Sequence, residues 1–297
     1  MTSFLSIRNL SISLQNGERI LRSVNMELAR GDVRGLVGES GAGKSMIGKA
    51  ILGILPRALK IDEGEILFQG KNLLNLNSRE LRKEMGANAA LIPQDPLTAL
   101  NPSHRIGRQI TNRLVDILGW SKGDAVKRTF DLLEEVRIPD PKRVINSFPH
   151  ELSGGMRQRI LIASAFAAEP KLIIADEPTT ALDVTVQKQI LKLIGEMQSR
   201  HGTTLLFVTH DLGVVSKVCQ SLSVLFLGKV IEDTNVFSFF DSPTHPYSKA
   251  LLAATPKYTD PKSDLIPVSE EILNSAKEEV VQLDMEWSNG PIRPFHI

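Results

Sequence analysis

One cysteine, Cys219, is all that this chain of 297 residues contains. That excludes an internal disulfide and any multi-cysteine metal site, and it fits a reducing compartment. Charge of one sign is not in excess either: 35 lysines and arginines stand against 34 aspartates and glutamates, a formal +1. At the level of net charge nothing resembles a polyanion-binding surface, which leaves a local basic patch open; no nucleic-acid partner is expected. No apolar run reaches the roughly 18 residues needed to cross a membrane. The best stretch, residues 160–175, is broken by Glu169, Pro170 and Lys171. The start Met1-Thr2-Ser3-Phe4 has neither the basic nor the apolar region of a signal peptide, so the chain is expected in the cytosol, with any membrane role coming through partners. Internal repeats are absent as well.

What remains is the composition of an ordinary globular protein, 42% hydrophobic and 23% charged, long enough to bury a core. Within it the stretch Gly38-Glu39-Ser40-Gly41-Ala42-Gly43-Lys44-Ser45 matches the phosphate-loop pattern. Its glycines let successive backbone N–H groups turn inward toward phosphate oxygens, and the following helix adds the positive end of its dipole. Lys44 is expected to reach the β- and γ-phosphates of a nucleotide and the Ser45 hydroxyl to ligate Mg²⁺. Residues 33–37 read as a short buried strand and residues 46–55 as a helix, so the motif sits where such a motif must sit.

Elsewhere the periodicity predicts a strand over residues 4–14 and another over residues 65–69, with Gly64 and Gly70 as its turns. Residues 94–147 read as a helical insertion, with helical spacing in 113–118 and 125–136 and prolines at 139, 141 and 149 closing it. The apolar runs 172–175 and 204–208 suit buried parallel strands, with a helix between them near 186–200. Residues 223–227 and 229–232 read as a strand pair. The last forty or so residues carry scattered charge and prolines, with periodicity only over 269–281, and read as an appendage.

Asp176-Glu177 ends the strand at 172–175. Taken alone, such a pair is most often an exposed strand end. Here an upstream phosphate loop makes it an acidic pair of the Walker B type, with Asp176 on Mg²⁺ and Glu177 polarising the attacking water. Between the two lies Leu152-Ser153-Gly154-Gly155-Met156-Arg157-Gln158-Arg159, which resembles the signature sequence of ATP-binding cassette ATPases. Small residues at a helix start would let Ser153, Gly154, Gly155 and Met156 approach a γ-phosphate.

The order of these motifs identifies residues 4–256 as a member of that family. The resemblance implies an α/β fold: a P-loop NTPase cassette with a RecA-like core, an antiparallel β subdomain and a helical subdomain inserted at about 95–165. The cassette would run over 1–256 and a C-terminal extension over 257–297. The resemblance also gives Gln94 the Q-loop role, sensing Mg²⁺ and the attacking water, so that Ser45, Gln94 and Asp176 form the metal set. Asp183, in Thr180-Ala181-Leu182-Asp183, resembles the D-loop aspartate at the dimer interface. His210 matches the H-loop histidine that contacts the γ-phosphate. Glu177, His210 and Gln94 are thus the expected catalytic residues, with ATP and Mg²⁺ as cofactors. Because family members hold ATP between the phosphate loop of one cassette and the signature of another, each chain carries two half-sites.

One departure stands out: no Phe, Tyr or Trp lies between Phe4 and Phe68, where cassettes commonly stack adenine. The base is expected on an aliphatic surface that includes Ile20. The LSGGM signature, Gln94-Asp95-Pro96 with Leu100-Asn101-Pro102, and His245-Pro246-Tyr247 with Ala250-Leu251-Leu252 resemble ATPases of oligopeptide, dipeptide and nickel importers, and the D-type subunit among them. The resemblance implies two transmembrane permease subunits, a second ATPase of the F type, an extracytoplasmic solute-binding protein, and a peripheral place on the cytoplasmic face of the bacterial inner membrane. Many relatives carry a C-terminal cysteine cluster for an iron–sulfur centre, and this chain has no cysteine after Cys219. Other readings are a nickel or small-solute importer, a soluble cassette acting on nucleic acid or ribosomes, and an inactive cassette. The last is opposed by the presence of Lys44, Asp176, Glu177 and His210.

Overall fold

The computed structural model describes residues 3–180, 182–255 and 268–288. Ala181, the expected cassette boundary at 256, and residues 257–267 and 289–297 of the expected extension lie outside them. The chain forms two compact units, Met1–Asn75 with Val208–Ile297, and Leu76–Phe207.

The first unit begins with β1 (Leu5–Leu14), β2 (Arg19–Leu28), β3 (Val33–Val37), α1 (Lys44–Leu52), β4 (Leu59–Phe68) and β5 (Lys71–Asn72). Strands β2, β1, β4 and β5 form an antiparallel sheet in that order. Its apolar face buries Leu5, Ile7, Leu10 and Ile12 against Leu21, Val24, Met26, Ile66 and Phe68. Gly64 does not turn the chain as expected. It lies inside β4 at φ +106, opposite a bulge in β1, where a Cβ would press on Leu10 Cα and the Arg8 and Asn9 carbonyls.

The second unit contains α2 (Ser78–Asn88), β6 (Ala89–Ile92), α3 (Pro96–Ala99), α4 (Ile106–Asn112), α5 (Lys122–Glu135), α6 (Pro141–Val144), α7 (Gly154–Phe166), β7 (Leu172–Asp176), α8 (Val184–His201) and most of β8 (Thr204–Thr209). Between β6 and β7 the described residues hold helices and turns without a strand; residues 113–117 form a π-helical turn. Strands β6 and β7 pair in parallel. Leu172, Ile173, Ile174 and Ala175 are all buried, which is why this strand reads as a continuous apolar run rather than an alternating one. Helix α7 buries Ile160, Leu161, Ile162 and Ala163 in succession, so it too is surrounded. A charged cluster joins the ends of α5 and α8: Glu135 meets Arg128 at 3.0 Å, His201 at 3.2 Å and Arg200 at 3.3 Å.

The chain returns to the first unit with α9 (Leu212–Val218), β9 (Ser221–Phe226), β10 (Lys229–Asn235), α10 (Val236–Asp241), α11 (Pro246–Ala253) and α12 (Glu270–Ser288). Strand β9 pairs in parallel with β3 and antiparallel with β10. Val37, Val224, Phe226, Phe239 and Tyr247 form one apolar cluster with Ala276 and Val280 of α12. The periodic stretch near the C-terminus is therefore a helix docked on the core. Glu232 lies almost fully buried beneath the start of α11 and accepts from Thr244 N at 2.8 Å and His245 N at 3.1 Å.

Candidate functional site

In the first unit, β3 runs into the expected phosphate loop. Gly38, Gly41 and Gly43 take φ of +154, +83 and +99, conformations that glycine adopts without steric cost. Close approach adds a second constraint. A Cβ on Gly38 would collide with the Leu225 carbonyl, and one on Gly43 would lie 2.8 Å from Leu21 Cδ2 and 3.2 Å from the Ile20 carbonyl. Gly43 ends the loop as the N-cap of α1, which begins two residues before the expected start because Lys44 and Ser45 already belong to it. No side chain caps this helix, and Met46 N closes its first turn onto Gly43 O at 3.0 Å, so the positive end of the helix dipole lies at the loop. Lys44 is buried, and its ammonium donates to Gly38 O and Glu39 O, each at 2.8 Å. A positive charge is thereby fixed across the loop's concave side. The cradle of turned N–H groups, an ammonium and the Ser45 hydroxyl fits a polyphosphate.

In the second unit, strand pairing positions the acidic pair. The parallel register sets Ile92 opposite Ala175, so Gln94 and Glu177 leave the same ends of neighbouring strands. Gln94 Nε2 donates to Glu177 Oε2 at 3.3 Å. The same oxygen accepts from Thr180 Oγ1 at 2.9 Å, so the carboxylate is aimed by two donors. Glu177 holds φ +47, a left-handed backbone that costs a residue with a Cβ roughly 1–2 kcal/mol. Strain of this kind concentrates where a side chain must point in one direction. Asp176, one residue earlier, ends the strand half-buried. Within this unit Gln94 and Asp176 offer hard oxygen donors, the kind of ligand that Mg²⁺ takes, as the Ser45 hydroxyl does in the first unit.

The signature residues open α7. Ser153 is its N-cap, with Oγ accepting from Met156 N at 3.3 Å. Buried Gln158 donates to Pro178 O at 2.8 Å, which ties this helix to the turn after Glu177. Asp183 caps α8 by accepting from Thr185 N at 3.0 Å and Val186 N at 2.9 Å, so in this chain its carboxylate has a structural task. In the first unit, His210 is exposed between the end of β8 and Asp211, the N-cap of α9. Thr209 Oγ1 accepts from Asp211 N at 3.0 Å and fixes that corner.

Sequence reasoning gave no role to two residues that bond within the second unit's candidate site, Thr180 and Gln158. The first has a local signal, a hydroxyl three residues after a glutamate in a tight turn. The second has none, because its partner Pro178 is brought near only by the packing of α7. Cys219 lies against Gly35 and Val215, and burial pushes its thiol up to about 12, which makes it a packing residue rather than a nucleophile. Burial, and then the neighbouring Glu39 carboxylate, push the Tyr247 phenol above the ordinary phenol range. Among the described residues no helix is long and apolar enough to cross a membrane.

Residues 21–180 match the ABC transporter family. The chain is 44% identical over 93% of its length to a probable peptide ABC transporter ATP-binding protein of Sinorhizobium fredii, covering 84% of that protein. It is 46% identical to the oligopeptide transport ATP-binding protein OppD of Bacillus subtilis, over 86% of this chain and 73% of that one. Among solved structures it resembles cbiO1 of Clostridium perfringens, part of an ABC transporter complex, with TM-score 0.72, 28% identity, and 84% and 96% of the two chains covered. A dimeric ATP-binding cassette in a post-hydrolysis state bound to ADP and Pi gives TM-score 0.69 at 26% identity, covering 78% and 98%.

Proposed function

Because the chain belongs to the ABC transporter family, in its oligopeptide and dipeptide ATP-binding branch, we propose that it hydrolyses ATP to drive peptide import through a membrane complex. The observation that carries the chemistry is the Glu177 carboxylate, aimed by Gln94 and Thr180 at the end of a buried strand. The likeness to peptide transport ATP-binding proteins over most of both chains supports the transport reading.

In this reading the N–H groups of residues 38–45 and Lys44 hold the β- and γ-phosphates. Ser45, Asp176 and Gln94 would hold Mg²⁺, which would supply neutralisation of phosphate charge when bound with the nucleotide. Glu177 accepts a proton from the attacking water, and Gln94 and Thr180 keep its carboxylate oriented for that transfer. His210 donates to the γ-phosphate. Ser153, Gly154, Gly155 and Met156 serve the nucleotide of a second cassette, since a helix start with small residues suits close approach to an anion. The adenine rests on the aliphatic surface at Ile20. We assign residues 1–256 to the cassette, about 95–165 to its helical subdomain and 257–297 to an extension. The working complex comprises two permeases, this chain, an F-type ATPase and an external binding protein, with this chain on the cytoplasmic face of the membrane.

The test is to tag the chain in its host, solubilise membranes gently, identify its companions, and compare peptide and nickel uptake in a strain lacking it. Recovery of two permeases and a second cassette, with peptide uptake lost and nickel uptake kept, supports the proposal. Loss of nickel uptake alone would reassign the solute, and recovery with ribosomes or nucleic acid would refute the transport role.

A further inference from the structure

We infer that Asp284, on the C-terminal helix α12, is a positioning residue for the phosphate loop, so that the helix sets the affinity for a magnesium–nucleoside triphosphate. The inference rests on the nucleotide-binding role proposed above for residues 38–45.

A continuous series of hydrogen bonds connects the two. Asp284 takes Arg22 in a bidentate pair, Nε to Oδ1 and Nη2 to Oδ2, both at 2.8 Å, and Arg19 Nη1 adds a third contact at 3.1 Å. Such two-pronged charged pairs fix direction as well as distance. With its plane held in this way, Arg22 directs Nη1 at the Leu227 carbonyl, 2.6 Å away. Leu227 and Gly228 are the turn between β9 and β10, both at positive φ, +43 and +80. Gly228 returns to β2 by accepting from Arg22 N at 2.8 Å, and its own N–H donates to Ala42 O of the phosphate loop at 2.9 Å. The end of β9 meets the loop a second time, since Leu225 O fills the space that a Cβ on Gly38 would need. The loop is thus seated on the β9–β10 hairpin, the hairpin is held by Arg22, and Arg22 is held by α12.

Helix α12 is in turn anchored by contacts that do not involve Asp284, on residues either side of the same hairpin turn. Ala276 and Val280 are buried in the cluster that includes Phe226 and Tyr247, and Glu279 pairs with Lys229 at 3.2 Å. His245 Nδ1 accepts from Tyr247 N, which leaves the ring proton on Nε2, 3.5 Å from Glu279 Oε1. The carboxylate at 284 therefore works from a fixed base, and it lies outside residues 21–180 that the family shares.

The experiment measures equilibrium binding of Mg-ATP to the purified full chain and to Asp284→Ala, Asp284→Glu and Val280→Ala, with melting temperatures taken in parallel. Asp284→Ala is expected to weaken binding by at least about threefold, within the roughly two- to thirtyfold range of residues that act through others. Asp284→Glu is expected to recover most of the affinity. Val280→Ala loosens the packing of α12 without touching the charged series, so it should lower the melting temperature and leave affinity near the parent value. A loss below threefold in Asp284→Ala, or an equal loss in Val280→Ala, overturns the positioning role. If the parent chain itself binds no Mg-ATP, the proposed nucleotide site fails first, which separates the two outcomes.

Discussion

The side-chain amide of Gln94 donates to the Glu177 carboxylate, Nε2 to Oε2 at 3.3 Å, because Ile92 and Ala175 stand opposite each other in paired parallel strands. Backbone register, rather than chain flexibility, thus decides where the proposed base points.

Replacing Glu177 by Gln keeps the shape and removes the proton acceptor. Turnover of the assembled complex should fall by at least about a hundredfold while Mg-ATP binding persists, as expected for loss of a general base. Steady-state hydrolysis beside equilibrium binding checks this. Parent-like turnover would remove Glu177 from the mechanism.

Thr180 tests orientation separately from basicity. Its hydroxyl donates to Glu177 Oε2 at 2.9 Å, so Thr180→Val should lower kcat by about tenfold with KM nearly unchanged, a loss of about 1.4 kcal/mol in the transition state. Thr180→Ser, which keeps the hydroxyl, should restore most of the rate. Equal defects in both variants would point to packing instead.

Gly43→Ala places a methyl group 2.8 Å from Leu21 Cδ2 at a φ of +99. The strain is about 1–3 kcal/mol, enough to shift the loop. Calorimetry should show a lowered melting temperature, and nucleotide binding should be lost. Retained affinity would mean that the loop tolerates the displacement.

Stability should also depend on pH through Glu135. Burial alone would raise its carboxyl, but the hydrogen bond from His201 and the charges of Arg128, His201 and Arg200 outweigh it and hold the group below its ordinary value. A carboxyl depressed in the folded state stabilises at pH above its unfolded pKa of about 4.3 and loses that contribution as pH falls through the folded value. Glu135→Gln should therefore cost about 1–3 kcal/mol at pH 7 and progressively less below about pH 4. Urea titrations of both proteins across that range measure the difference, and a constant gap would refute the linkage.

Much of the site could be read from the sequence because its motifs are local. A phosphate loop is one turn between a strand and a helix, and the pattern of residues 38–45 together with the apolar run 33–37 specifies both. The run 172–175 likewise placed Asp176 and Glu177 at a strand end. Gly64 was misread because a glycine in a turn and a glycine opposite a bulge look alike until the partner strand is known. The register that pairs Gln94 with Glu177 was invisible for the same reason, since β6 and β7 are separated by the whole helical insertion. Strand β2 went unread because its charged and polar residues mask the alternation of Leu21, Val24, Met26 and Leu28; the bulges shown by its register shifts interrupt that alternation further. The C-terminal helix showed its period over 269–281, but nothing in that period disclosed that Asp284 reaches Arg19 and Arg22.

The turn at Leu227 and Gly228 has the look of a convenient engineering handle: short, at a hairpin tip, with Leu227 41% exposed. Designers commonly choose such tips for epitope tags, reporter insertions or new chain termini. Here the tip's carbonyl and N–H are already committed to Arg22 and Ala42. An inserted tag would be well displayed and would detach the loop that it was meant to report on, so labels for this protein belong on the exposed face of α2 instead.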